Sequence, residues 1–244
     1  MSTPRRDFLS MLGVGSLAAG SAPLKLPEAD GGGDPYIKSD KWDMSWLKRV
    51  RGKGRGVFDI VTTSGSGGWP RVAAWHDQAI EVYGSASEVT AIAVIRHGGI
   101  ALATNDAYWE EFKPGAGGGG RGRGGAPPVA DTAAVAGGAP SAPMRNPIGS
   151  PRPGAASDSK VDTITGFIAA GGIVLACNVA FGFSIRPNVA RAKNLTGDAA
   201  DKAARAYLIP GVILMPSGVF ALIAAQQAGC GVCGALVPSM TGAS

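Results

Sequence analysis

Cysteine and histidine are the residue types here best suited to nucleophilic or metal chemistry, and the chain carries three of the first and two of the second. Cys177 closes a short apolar run within Gly171 to Phe183, which reads Gly-Gly-Ile-Val-Leu-Ala-Cys-Asn-Val-Ala-Phe-Gly-Phe. A Gly break, a few apolar residues and then a polar residue is the pattern of a strand buried on both faces, as in a parallel sheet. Ligands of open parallel sheets bind just past the carboxyl ends of the strands. Cys177 would stand on that edge. His97, in Arg96-His97-Gly98-Gly99, follows another apolar run, Val89 to Ile95, and falls on the same edge. It reads either as a turn residue bonded to backbone or as a base or proton carrier beside a thiol. A thiol facing the N-terminus of a following helix is activated as a nucleophile, and apolar surroundings oppose that activation. A buried cysteine also serves simply as a small apolar group. Cys230 and Cys233 form a Cys-x-x-Cys, but redox pairs of that spacing begin a helix and this one follows one. A structural disulfide or two quiet thiols is the expectation. The cysteines and histidines lack the paired spacing of a zinc site, so no metal is expected. The Gly-rich stretch Thr63 to Gly68 matches neither GxGxxG nor the P-loop, and no cofactor is expected.

The elements that position these residues follow from periodicity. Val57 to Thr62 reads as a strand. Trp69-Pro70 opens a helix to Tyr83, with Pro at an early position and Gly84 as its stop. Its apolar face is Val72, Trp75, Ala79 and Val82. After the strand Val89 to Ile95 comes a helix from Ile100 to Phe112. Val161 to Ala170 is a further helix, leading to the strand that ends at Cys177. Asn178 to Arg191 reads as a turn plus a helix broken near Pro187, and Ala199 to Tyr207 as a small helix capped by Thr196 or Asp198. Ile209 to Met215 is a fourth strand. Val219 to Ala228 is apolar almost all round and reads as a buried helix. Cys230 to Val237 reads as an edge strand. Repeated strand–turn–helix units argue for one α/β domain with an open parallel sheet. In it Asp59–Thr63, Arg96–Gly98, Cys177–Asn178 and Pro216–Gly218 line one edge. The rival is a pair of membrane spans, since Thr163 to Ile185 and Tyr207 to Val237 carry no charge. Glycines, prolines and Gln226-Gln227 interrupt both runs, and buried strands and helices of a parallel sheet leave uncharged runs too.

The apolar strand ending in Cys177, followed by Leu208-Ile209-Pro210-Gly211-Val212-Ile213-Leu214-Met215-Pro216-Ser217-Gly218-Val219, resembles the DsrE/DsrF-like family of small α/β sulfur-relay and related proteins. The resemblance covers residues 56–112 and 161–237. It is nearest to that family's uncharacterised branch with a twin-arginine signal. It implies a flavodoxin-like layered domain. In the sulfur relays the cysteine at this strand end carries sulfur as a persulfide, and Cys177 matches that position. The relays are cytoplasmic, whereas this chain opens with an export pattern.

That pattern is Thr3-Pro4-Arg5-Arg6-Asp7-Phe8-Leu9, paired Arg before a short apolar segment from Phe8 to Ala19. Residues 1–22 read as a twin-arginine signal, which directs the protein to the periplasm, or tethers it to the membrane if uncleaved. Residues 23–40 read as a linker and 41–237 as the domain. A Gly-, Pro- and Ala-rich insertion, 114–159, offers no core and is expected to be disordered; 238–244 form a tail. The 38 glycines and 17% charged residues fit a globular domain diluted by low-complexity sequence. The net charge of +5 is concentrated in the first third. There, Trp42, Trp46 and Val50 share a helical face beside Lys48, Arg49, Arg51, Lys53 and Arg55. This segment either packs on the domain or contacts a membrane protein complex or anionic membrane surface. A homo-oligomer is a further candidate, and export argues against nucleic acid. The leading expectation is a non-enzymatic periplasmic binding or scaffold subunit at a membrane-bound complex. The alternative is a sulfur-relay or thiol-dependent protein using Cys177 with His97.

Overall fold

The computed structural model describes residues 41–63, 68–114, 144–151 and 161–234. All lie within the unit Lys38–Ser244. The signal, linker and tail expected at 1–22, 23–40 and 238–244 lie outside the described residues.

Among the described residues five strands form one wholly parallel sheet: β1 (Gly54–Ile60), β2 (Val89–Ile95), β3 (Ile173–Cys177), β4 (Ile213–Met215) and β5 (Gly231–Cys233). Their order across the sheet is β4-β3-β2-β1-β5. The central strands β2 and β3 are almost wholly apolar and do not alternate, because both faces are covered, and β3 is buried along its whole length. Their side chains alternate between two cores. Phe58, Ile60, Ala93, Ile95, Val174 and Ala176 join one, and Val57, Ile92, Val94, Ile173 and Leu175 the other.

The first core is closed by α1 (Trp69–Tyr83), α2 (Asp106–Phe112), α3 (Ile164–Ala169), α4 (Asn178–Lys193) and α5 (Gly197–Arg205). The second is closed by α6 (Gly218–Gln227) and by the segment around Trp46. Local chemistry sets the boundaries. Pro70 opens α1, and Gly84 at φ 84° stops it. Asn105, Thr163 and Ser217 each accept a backbone N–H at the start of α2, α3 and α6.

Several boundaries differ from the sequence reading. The helix expected from Ile100 to Phe112 is a 3-10 segment, His97–Ala103, and then α2. The chain breaks where Thr104 bridges Leu208 and Asn105 caps the next helix. Helix α4 runs through Pro187 without ending. Strand β4 has three residues, because Pro210-Gly211 turn the chain first. Helix α6 is apolar up to Gln226-Gln227, yet it is not buried all round. Ala221, Ala224 and Ala225 face the sheet, while Val219, Phe220 and Ile223 stand exposed. Small residues let the helix approach the sheet closely, and no element covers its far side among the described residues.

The segment holding Trp42 and Trp46 is a strap across the second core. Ser45–Arg49 is a 3-10 turn, not an α-helix. Trp46 is fully buried and its Nε1 donates to Met215 Sδ at 3.2 Å. Trp42 and Val50 are half-buried against the same cluster. Part of the expected disordered insertion is also packed. Within 144–151, Asn146 and Ile148 are buried. The Asn146 amide donates to the carbonyls of Leu102 and Thr104 at 2.8 and 2.6 Å. Those carbonyls have found a partner in the insertion, which is why this piece orders despite its composition. Residues 115–143 and 152–160 lie outside the described residues. Among those described, no helix is long and apolar enough to cross a membrane.

Candidate functional site at the carboxyl edge

Asp59, near the end of β1, is the one charged residue in the second half of that strand, and it is buried. It lies opposite Val94 in the parallel register, so Arg96, just past β2, can reach it. Arg96 Nε and Nη2 meet the two Asp59 oxygens at 2.7 and 2.6 Å, a bidentate fork. The remaining nitrogen, Nη1, is 2.8 Å from Nε2 of His97. A guanidinium only donates, so Nε2 is the acceptor in this contact.

The turn that carries His97 is wedged against the end of β1. Arg96 N–H donates to Ile60 O and Gly99 N–H to Val61 O, at 2.8 and 2.9 Å. His97 itself is held at φ 50°, a left-handed conformation uncommon for a residue with a side chain. A Cβ on Gly99 would sit 2.9 Å from the Ile60 carbonyl oxygen, so only glycine lets the turn close this far. On the other side, a Cβ on Gly218 would lie 2.6 Å from Arg96 Cδ. The arginine is thus clamped between β1 and the start of α6.

Cys177 ends β3 and caps α4, its Sγ accepting the Ala180 N–H at 3.4 Å. It is 6% exposed. It nonetheless lines a cavity of about 960 Å³ together with Arg96, His97 and Ser217. One face of α4, from Ala180 through Phe183, Ser184 and Pro187 to Arg191, forms the long wall, and Val219 closes the opposite side. Among the described residues no carboxylate lines it. Cys177 and His97 therefore border the same space at the sheet edge. They are not joined: the thiol bonds to the Ala180 amide and the imidazole to Arg96.

No protein-family model matches this chain, and no curated protein does. Function must be read from the geometry.

The remaining candidate residues lie elsewhere. Arg49 Nη2 donates to the Gly171 and Gly172 carbonyls just past α3, at 3.0 and 3.1 Å. Arg55 Nη1 donates to Ala228 O at the end of α6, at 3.3 Å. Both ends carry the negative pole of a helix, which favours a cation. Lys53 is 4.0 Å from Glu88 on the surface, and the Lys48 and Arg51 side chains are exposed. Cys230 and Cys233 are free thiols. They are three residues apart around a strand and so project to opposite faces; Cys230 joins the second core and Cys233 packs on the first. A bridge between them does not fit this backbone, and burial pushes the Cys230 thiol above its ordinary pKa. Among the described residues no cluster of His, Cys, Asp and Glu is arranged to hold a metal ion.

Sequence reasoning had placed Asp59 and Arg96 on this edge but had not paired them. The signal was present: a lone acid inside an apolar strand needs a buried partner.

Proposed function

We propose that this chain is an exported, DsrE-like protein that carries sulfur on Cys177 inside the carboxyl-edge cavity. The observation that supports this reading is the cavity itself, which gives a shielded cysteine an approach from solvent beside Arg96, His97 and Ser217. The chemistry is a transfer, not a net redox reaction. The Cys177 thiolate attacks the outer sulfur of a persulfide donor, R–S–SH. The donor's S–S bond breaks, its electron pair leaves on the donor thiolate, and Cys177 holds the persulfide. The α4 N-terminus stabilises negative charge on the attacking sulfur. His97 does not serve as its base in this arrangement, because Nε2 accepts from Arg96. The Arg5-Arg6 pattern supports a periplasmic location for this reading.

The test is to incubate the full-length chain with glutathione persulfide and read the Cys177 peptide by mass spectrometry. One added sulfur on that peptide, absent from Cys177→Ser, is expected. Sulfur on Cys233 alone, or none on any cysteine, refutes the reading.

A second reading, a non-enzymatic subunit docked on a membrane-bound complex, draws on a separate observation. Val219, Phe220 and Ile223 leave an uncovered apolar strip along α6. Trp46 does not serve it as an anchor, since the strap turns it into the core, while Trp42 is only half-buried. Fractionation of the exported protein at low and high salt checks it, with Lys48→Gln and Arg51→Gln as the perturbation. Protein that is soluble at low salt removes this reading.

A further inference from the structure

We propose that the carboxyl-edge cavity binds an elongated organic anion with an apolar body, its acidic end at Arg191 and its far end toward Cys177. The shape comes first. Ala180, Phe183, Pro187 and Arg191 recur every three or four residues, so the cavity runs along one face of α4. Cys177 and Arg191 are separated by roughly 20 Å along the helix axis at about 1.5 Å per residue. The volume, about 960 Å³, falls within the range of small-molecule pockets, about 300–1,000 Å³.

The charge comes next. Among the described residues no carboxylate lines the cavity, and of the two arginines that do, Arg96 is already matched by Asp59. Arg191 is exposed, and among the described residues no carboxylate stands within 4.0 Å of it in an ion pair. The uncompensated cation is therefore at the far end from the thiol. A cationic ligand has nothing here to meet it, and a neutral hydrocarbon leaves Arg191 without a counterion.

The wall between the ends is apolar and open to water. Phe183 is 81% exposed, an unusual position for a large aromatic, and Val179 and Val219 flank it. An apolar ligand body laid along α4 would remove these side chains from water. The cavity is walled by both α4 and the start of α6, an enclosure that suits a single amphiphile better than the face of a bilayer. The proposal holds whether or not Cys177 carries sulfur.

Isothermal titration of the full-length chain with sodium dodecanoate, kept below its micelle concentration, tests it. One dodecanoate should bind per chain. Butyrate and dodecyltrimethylammonium should bind at least about tenfold more weakly, lacking the apolar body and the anionic end respectively. Arg191→Gln and Phe183→Ser should each weaken dodecanoate by about tenfold, one charge-assisted hydrogen bond or one covered aromatic. Both residues are exposed, so unchanged circular dichroism and melting show that the fold is intact. Sulfur transfer to Cys177 is read by mass spectrometry on the same protein without dodecanoate, so failure of that reading and failure of this proposal are separately visible. Equal affinity for the cation overturns the proposal, as do indifference to both substitutions and unsaturable uptake. Phosphatidylglycerol vesicles that displace dodecanoate in a Phe183-dependent way would reassign the face to a membrane and overturn it too.

Discussion

The Asp59–Arg96 pair should behave as a buried, coupled pair, and a double-mutant cycle reads that directly. The side chains are 8% and 18% exposed, with charged atoms 2.6 Å apart. At an effective dielectric near 20, that separation gives a gross attraction of about 6 kcal/mol. Removing both ions from water costs several kcal/mol each, which offsets most of it. The intact pair is therefore worth little in net terms. Breaking it is another matter, because the remaining charge keeps its desolvation cost and loses its partner. Asp59→Asn and Arg96→Gln should each destabilise by about 3 kcal/mol, at the low end for a buried pair. For a domain of this size, that lowers the melting temperature by about 6–12 °C. Because the intact pair is worth little, the double variant, with two neutral amides facing each other, should lie within about 1–2 kcal/mol of the parent and be more stable than either single. Urea unfolding at neutral pH with a common m-value is the assay. Additivity of the two singles would refute the argument, and so would recovery of neither single's loss in the double.

Trp46→Ala should cost about 3–5 kcal/mol, as expected for truncating a fully buried aromatic, measured by the same unfolding. Gly99→Ala should cost about 1–3 kcal/mol, because its Cβ meets a backbone carbonyl that cannot swing aside; thermal melting checks it. Burial pushes Asp201 up, but the hydrogen bond and charge of Arg205 and the charge of Arg186 outweigh it and hold the carboxyl below its ordinary pKa. The stability this contributes is present above the ordinary Asp pKa and is lost as pH falls through the lowered one. Asp201→Asn should therefore melt earlier at neutral pH and converge with the parent in strong acid. Asn146→Ala should cost about 1–3 kcal/mol, since two buried carbonyls lose their donor, and should speed proteolysis near residue 146.

Elements defined by their own residues were readable beforehand. Helix α1 has Pro70 at its start and Gly84 at its end, and the strands Val89–Ile95 and Ile173–Cys177 are almost wholly apolar runs that each end at a polar residue, Arg96 and Asn178. These features are local, and so was the inference that Cys177 and His97 share an edge. What escaped depends on neighbours distant in sequence. The Asp59–Arg96 fork needs the β1–β2 register. The burial of Trp46 needs Met215, and the ordering of Asn146 needs two carbonyls about forty residues earlier. Helix α6 misled in another way. Apolar composition says that a helix prefers cover, not that the fold supplies it on every side; its alanines and Leu222 meet the second core while Val219, Phe220 and Ile223 do not. The long wall of the cavity was hidden because Pro187 argued for a break in α4, where the helix continues with one N–H fewer.

The strand order carries a consequence for how the molecule is made. β1 is complete at residue 60, but its outer neighbour β5 begins only at residue 231. At synthesis rates of about 5–20 residues per second, the β1 edge waits roughly 10–30 s for its partner. During that interval it presents the unpaired N–H and C=O row of an open parallel strand. Closure of the sheet is thus a late, long-range event, slow by topology. A stalled or shortened chain ending before Gly231 would keep a sticky edge next to its most apolar strands. The same gap makes the β1–β5 seam the natural place for the domain to begin opening. Hydrogen exchange should show the three β5 residues losing protection well before the β2–β3 pairing does.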